Sequence, residues 1–137
     1  MKRIVTGLLL VAICGIFGIA TAREAKKTVT ATIDADGVQR VEILGGGYFF
    51  DPDHVIVKVN VPVELKVRKE SGIVPHNFVI KAPEAGIEVE ESLSSEPKTI
   101  RFTPTKTGIY PMYCSKKLLF FASHREKGME GELEVVE

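Results

Sequence analysis

The chain has 137 residues, 18 basic and 18 acidic side chains, and a formal net charge of zero at pH 7. This balance, without a basic stripe interleaved with aromatic residues, argues against nucleic acid as a partner. The sequence contains no internal repeat or low-complexity tract, and its length suits one domain that buries a core without disulfide staples.

The N-terminus has the pattern of an export signal. Two basic residues precede an apolar run over residues 4–20, and small residues at 20–22 offer a signal-peptidase site. We therefore predict a signal peptide over residues 1–22 and a single mature domain over residues 23–137, in the periplasm or outside the cell. A run of about 17 residues is at the lower limit of a membrane span, so contact with a membrane through an uncleaved anchor is the alternative.

Cleavage of this signal would change the cysteine chemistry. It would remove Cys14 and leave Cys114 as the single cysteine of an exported protein, so that no disulfide could form within the mature chain. One interpretation of Cys114 is a buried, inert thiol that packs like a small apolar side chain. The other is a thiolate metal ligand.

Apolar and polar residues alternate with a period of two through the mature chain, which indicates β-strands. The clearest runs are at residues 40–43, 54–61, 63–68, 99–103 and 132–135. Turn residues rich in glycine, proline, asparagine and aspartate separate them. Seven or eight short strands at this spacing predict an all-β fold, a Greek-key sandwich or barrel.

Two segments do not follow this pattern. Residues 81–97 contain five glutamates together with prolines and a glycine, and we predict an acidic excursion with one helical turn rather than a strand. Gly45 to Gly47 lack the Lys-Ser/Thr that follows a phosphate-binding loop, so we interpret them as a bulge or turn. No Ser-His-Asp order or CxxC pair offers other chemistry, and we expect the protein not to be an enzyme.

Four side chains in the second half of the chain form a candidate ligand set, His76, Cys114, His124 and Met129. Two imidazoles and one thiolate in a plane, with a more distant thioether, are the donors of a mononuclear copper electron-transfer site. His76 begins a predicted strand, Cys114 ends another, and His124 and Met129 lie in the connection to the last one. One end of a sandwich can therefore present all four.

Each candidate also has a purely structural interpretation. A single histidine is most often a surface or capping residue, and we assign His54, beside two aspartates at a turn, to that class. A methionine is most often core filler. Met112 is a rival axial ligand because it shares a strand face with Cys114, but the His-x4-Met spacing favours Met129.

The segments that carry these residues resemble the cupredoxins, or blue copper proteins. Residues 110–115 and 124–135 are similar to the copper loop of plastocyanin, residues 75–79 to the first-histidine segment of the family, azurin included, and residues 48–52 to earlier strands. The similarity covers roughly residues 28–137.

This resemblance implies a cupredoxin-type sandwich that binds one copper ion and transfers single electrons by cycling between Cu(I) and Cu(II). It implies His76, Cys114, His124 and Met129 as the copper ligands. It also implies that Asn77 steadies the ligand loops and that electrons leave through His124, whose imidazole edge would lie close to solvent.

One departure from the family is large, because nine residues separate the cysteine from the second histidine where plastocyanin-like loops have a few. This insertion, residues 115–123, contains Lys-Lys-Leu-Leu-Phe-Phe. We expect a turn of helix that packs Leu118 and Phe121 onto the end of the sandwich, and docking to a partner is the alternative. The longer loop leaves open whether the site is blue and trigonal or green and tetragonal.

Three functions are compatible with these residues. The first is an exported electron carrier whose partner is a redox protein such as a cytochrome or an oxidase domain. The second is copper delivery or copper resistance with a copper donor or acceptor, and the third is a metal-free interaction module. A copper oxidase is disfavoured because the chain has only three histidines.

Overall fold

The computed structural model describes residues 26–137, and the predicted signal peptide lies outside them. The strands are β1 (Thr28–Thr30), β2 (Thr32–Ile33), β3 (Gln39–Gly46), β4 (Phe49–Asp51), β5 (His54–Lys58), β6 (Val63–Lys69), β7 (His76–Ala82), β8 (Ile87–Leu93), β9 (Lys98–Phe102), β10 (Gly108–Tyr113) and β11 (Glu130–Val136). A 3₁₀ turn, Pro83–Ala85, joins β7 to β8. Within the described part of the chain, no helix has the length and apolar character needed to cross a membrane.

The strands form two sheets. The larger has the order β1-β5-β11-β10-β7-β8, and the smaller has the order β2-β3-β6-β9 with β4 paired to β3. Neighbours such as β5 and β11, or β3 and β6, are parallel and distant in sequence, so the chain crosses repeatedly between the sheets. This arrangement confirms the predicted all-β sandwich. Eight of the described strands have five or more residues, and β1, β2 and β4 are shorter.

The alternating residues produce the core, as β6 illustrates. Val63, Leu65 and Val67 are buried, whereas the charged residues between them face outward. Each such aliphatic side chain contributes about 1.5–3 kcal/mol when it leaves water. The rings of Phe50 and Phe78 meet edge to face at 5.3 Å and help to join the two sheets.

The prediction for residues 81–97 is wrong in part. The helical turn is present at Pro83–Ala85, but Ile87–Leu93 forms strand β8, which pairs with β7 along its whole length. Adjacent glutamates at 90 and 91 break the period-two pattern, and glutamate is disfavoured in strands. Because β8 is an edge strand, these carboxylates face solvent and discourage further strand pairing.

Strand directions gather three segments at one end of the sandwich, called here the metal end. Strand β7 begins at His76, β10 ends just before Cys114, and β11 begins just after Met129. Since β10 is antiparallel to both β7 and β11, these three strand ends lie close together. The end of β6 and the β3–β4 hairpin lie at the same end, because β3 runs parallel to β6 with Gly45 opposite Lys69.

Candidate metal centre

His76, Cys114 and His124 come together at the metal end. The Nδ1 atoms of the two histidines are 3.1 Å apart, and they lie 3.9 Å (His76) and 3.6 Å (His124) from the Cys114 Sγ. A point in the plane of these atoms is about 2.1 Å from each, close to metal–imidazole distances of about 2.0–2.1 Å and a metal–thiolate distance of about 2.3 Å. The three donors therefore fit a single metal ion. Within residues 26–137 they form the one such cluster of histidine, cysteine and carboxylate groups.

Asn77 ties the His76 strand to the cysteine segment. Its backbone N–H donates to the Cys114 Sγ at 3.4 Å, its side-chain amide donates to the Ser115 hydroxyl at 2.8 Å, and its Oδ1 accepts from the Ser115 N–H at 2.8 Å. Such contacts orient metal ligands from outside the coordination sphere. They hold the cysteine in position relative to His76 across two strands.

Backbone hydrogen bonds join the two ends of the loop that runs from Cys114 to Met129. The Cys114 N–H donates to the Met129 carbonyl at 3.0 Å, and the Met129 N–H donates to the His124 carbonyl at 2.9 Å. The His124 N–H donates in turn to the Lys116 carbonyl at 2.9 Å. The ligand-bearing residues are thus joined directly, and the inserted residues between Lys116 and His124 bulge away without separating them.

The two buried methionines occupy different places. Met129 is hydrogen-bonded through its backbone to both Cys114 and His124, and its methyl group lies 3.3 Å from where a Cβ on Gly45 would be. Met112 lies opposite Gly131, with its methyl 2.6 Å from where a Cβ on that glycine would be. Met129 is therefore beside the cluster, and its role as the axial ligand stays a prediction.

Tyr48 also belongs to the site, although the sequence gave little indication of this. The centroid of its ring lies 5.0 Å from that of His124 and 6.1 Å from that of His76, and the rings meet edge-on in both cases. The predicted glycine turn is in fact a two-residue hairpin loop, Gly47–Tyr48, because Gly45 and Gly46 continue β3. An aromatic residue next to a glycine run was the one available hint.

His54 lies outside the cluster. It is the first residue of β5, is partly buried, and has the structural rather than ligating contacts expected from the sequence. Its Nε2 lies 2.8 Å from the Glu134 carboxylate and its Nδ1 lies 3.1 Å from the Thr28 hydroxyl. These contacts join three neighbouring strands, β1, β5 and β11.

The expectation that the inserted loop packs onto the end of the sandwich is wrong. Leu118 and Phe121 are 64% and 51% exposed, and the residues between them are more exposed still. The side chains of Leu118 to Phe121 therefore contribute little to the core of the sandwich. The residue His124 is 4% exposed, so only a small part of its imidazole reaches solvent.

The surroundings of both histidines favour the neutral imidazole. Burial is the main cause that lowers the pKa of His76 and of His124 below the ordinary value of 6.5. The positive charges of Lys69 near His76 and of Lys127 near His124 act in the same direction. Neutral imidazoles can bind a metal ion without first releasing a proton.

Solved structures with similar folds include proteins described as copper-binding. The metal-binding domain of the Cu(I)-exporting P-type ATPase CopA of Streptococcus pneumoniae is 21% identical with a TM-score of 0.63, covering 82% of this chain and 99% of that domain. Reduced auracyanin of Roseiflexus castenholzii is 19% identical with a TM-score of 0.56, covering 72% of this chain and 97% of that one. The periplasmic domain of cytochrome oxidase subunit II of Bradyrhizobium japonicum is 17% identical with a TM-score of 0.51, covering 72% and 83%.

These likenesses confirm the predicted cupredoxin fold. At the level of sequence, the chain matches no protein-family model and no curated protein. The fold is therefore recognised through structure, and what the centre does has to be argued from its own residues.

For the metal-free protein, we expect the free energy of unfolding to fall as the pH drops below 6.5. Because the folded state lowers the pKa of both site histidines, the unfolded chain binds protons that the folded chain does not. Each histidine should then weaken the fold by about 1.4 kcal/mol per pH unit until its folded pKa is reached. Urea unfolding between about pH 5 and 8 measures this slope.

The double variant His76→Gln, His124→Gln is the control and should lose most of the slope. It retains His54 and every carboxylate, so an unchanged slope in this variant would assign the pH dependence to other groups.

Proposed function

We propose that this protein is an exported electron carrier with one copper ion per chain, held by His76, Cys114 and His124 with Met129 as a weak axial ligand. The observation that carries the proposal is the buried triangle of two imidazole nitrogens and one thiol sulfur. Imidazole and thiolate together suit both Cu(I) and Cu(II), whereas hard cations prefer oxygen ligands. When bound, copper supplies the reversible one-electron chemistry.

The surrounding residues favour electron transfer by keeping the donors fixed. His76, Cys114 and Met129 each begin or directly adjoin a strand, and backbone hydrogen bonds join the last two. Asn77 holds the cysteine segment from the neighbouring strand. Donors held in this way move little when the charge of the ion changes, which keeps the reorganisation accompanying electron transfer small.

The proposal includes no enzymatic activity. Multicopper oxidases and reductases need additional histidine-bound copper, and this chain has three histidines in all. Two belong to the candidate centre, and His54 is engaged with Glu134 and Thr28. Export to the periplasm or beyond remains part of the proposal, supported by the signal-like N-terminal sequence and by a structural neighbour described as a periplasmic domain.

Copper delivery is the second candidate function. It is favoured by the structural likeness to the metal-binding domain of a Cu(I)-exporting ATPase, which has the higher TM-score of the compared structures. A delivery protein must release Cu(I) readily to an acceptor, whereas a carrier must retain it through many redox cycles. The rate of Cu(I) loss to a chelator therefore separates the two functions.

The apolar loop is the surface best suited to a redox partner. Leu118, Leu119, Phe120 and Phe121 are exposed at the metal end. Lys116 and Lys117 precede them, whereas the nearby charge of Arg125 is matched by Glu130 at 2.8 Å. We infer that the partner presents an acidic rim around an apolar centre. Opposite charges would guide the two proteins together, and a small apolar contact would let the complex dissociate quickly.

Replacing Cys114 by Ala should abolish the intense thiolate-to-copper absorption band that wild-type protein shows after addition of Cu(II). The variant should stay folded and lose about 1 kcal/mol of stability, because one buried sulfur leaves a small cavity. Visible absorption and circular dichroism measure the two effects. An intense band in the variant would show that Cys114 is not the ligand.

Replacing Met129 by Leu should leave copper bound and raise the reduction potential by about 60 mV or more. For a one-electron couple, this is about a tenfold change in the equilibrium constant between Cu(I) and Cu(II). Loss of an axial donor weakens the binding of Cu(II) more than the binding of Cu(I), because Cu(I) is stable with three ligands. Voltammetry measures the shift. The control is Met112→Leu, equally buried, which should keep the wild-type potential; the reverse pattern would make Met112 the axial ligand.

Replacing Phe120 by Ser should slow electron transfer to a gold electrode coated with mixed methyl- and carboxylate-terminated chains, which imitates the inferred partner face. The absorption spectrum, the melting temperature and the rate with ferricyanide should not change. The control is Ile109→Ser, which removes an exposed apolar side chain at the opposite end of β10. Equal slowing in both variants would contradict docking through the loop.

A further inference from the structure

Tyr48 lies between the histidine pair and solvent. Its ring stands edge-on to both imidazoles, at 5.0 Å from His124 and 6.1 Å from His76. Both histidines are nearly inaccessible, whereas Tyr48 is partly exposed. The ring is therefore part of the wall that separates the candidate ligands from water.

The backbone at Tyr48 is unfavourable for a tyrosine. Gly47 and Tyr48 form the two-residue loop between β3 and β4, with φ angles of +50° and +64°. A loop with both φ angles positive favours glycine, asparagine or aspartate, and a bulky residue in this region is an outlier. Strained residues of this kind occur where the surrounding structure and a functional need hold them. A glycine would form this hairpin more easily but would leave the histidines uncovered.

Lys127 fastens the tyrosine to the ligand loop. Its ammonium group lies 4.5 Å from the centroid of the Tyr48 ring and donates to the Tyr48 hydroxyl at 3.4 Å. Lys127 lies in the segment between His124 and Met129, so this contact joins the β3–β4 hairpin to the loop that carries two of the candidate ligands. A cation over an aromatic face is attracted by the ring quadrupole.

We propose that Tyr48 is a positioning residue of the metal centre, whose ring closes the histidine pair against water and is held there by Lys127. Closure in this way slows both the entry of solvent and the exit of the ion. The part that concerns the ion rests on the proposed function, whereas closure of the histidines can be tested without metal. For copper delivery, the β3–β4 hairpin would have to open first.

The test in the metal-free protein is the rate at which diethyl pyrocarbonate modifies each histidine, followed by peptide mass spectrometry. Tyr48→Gly should raise the rates at His76 and His124 by about tenfold, since it removes two edge-on ring contacts and one cation–π contact. Glycine also suits the positive φ angle, so this variant should fold. Tyr48→Phe keeps the ring and should remain within about twofold of the wild type.

Lys127 variants test how the ring is held. Lys127→Gln should raise the modification rates by about threefold, and Lys127→Arg should restore wild-type protection, because a guanidinium group also stacks on aromatic faces. A merely structural lysine would not show this dependence on charge.

The matched control is Tyr113→Ala. Tyr113 is also partly buried near the metal end and has the Arg125 guanidinium 4.4 Å from its ring centroid. Among the described residues, the ring contacts of His76 and His124 are with Tyr48 and with each other, not with Tyr113. His54 serves as an internal reference in every variant. Unchanged protection in Tyr48→Gly, or equal loss of protection in Tyr113→Ala, would overturn the proposal.

A second measurement uses the Cu(I)-loaded protein and a Cu(I) chelator. Tyr48→Gly should release copper about tenfold faster than wild type while its Cu(II) absorption band persists. If the histidines of metal-free Tyr48→Gly are modified faster but the wild type binds no copper, closure by Tyr48 is supported and the proposed function is refuted. If the wild type binds copper but the histidines of Tyr48→Gly are modified no faster, closure by Tyr48 is refuted and the proposed function stands.

Discussion

The centre depends on the hydrogen bonds that Asn77 makes to the Cys114–Ser115 segment. Asn77 follows His76 directly in β7, so its three hydrogen bonds transmit the position of one candidate ligand to another across two strands. The backbone bonds from Met129 then add His124 to the same unit. Because every link is short and local, the insertion between Cys114 and His124 changes the length of the loop without changing where its ends lie.

The donors of this unit are better matched to a metal ion than to one another. Two neutral imidazole nitrogens 3.1 Å apart can share only one proton, and the thiol sulfur beside them is a weak hydrogen-bonding group. A metal ion bound to all three would replace these weak mutual contacts with stronger bonds. Binding only to the folded state also stabilises that state. The chemistry of the donors and the stability of the fold therefore favour the same occupant.

The metal end combines a closed interior with an apolar exterior. Among the described residues, six of the eight large apolar side chains that are exposed lie in two loops at this end, Ile73–Val74 and Leu118–Phe121. The first loop leads directly into His76, and the second lies between Cys114 and His124. A protein that only stored copper would gain nothing from this exposure, whereas a partner that docks here comes close to the buried centre. In the proposed carrier, the Tyr48 ring would cover the histidines while the exposed loops stay free to meet a partner.

The sequence by itself determined the donor residues, their order and most of the strands, because ligand chemistry and period-two alternation are properties of neighbouring residues. It also placed His76, Cys114 and Met129 at strand boundaries, which is why they could be expected to meet. Strand β8 was missed because adjacent glutamates hide its alternation and only its edge position makes them acceptable. The exposure of Phe120, the burial of His124 and the position of Tyr48 were decided by the tertiary structure alone. Each depends on which segments already cover the metal end, and that competition for one surface involves residues far apart in the chain.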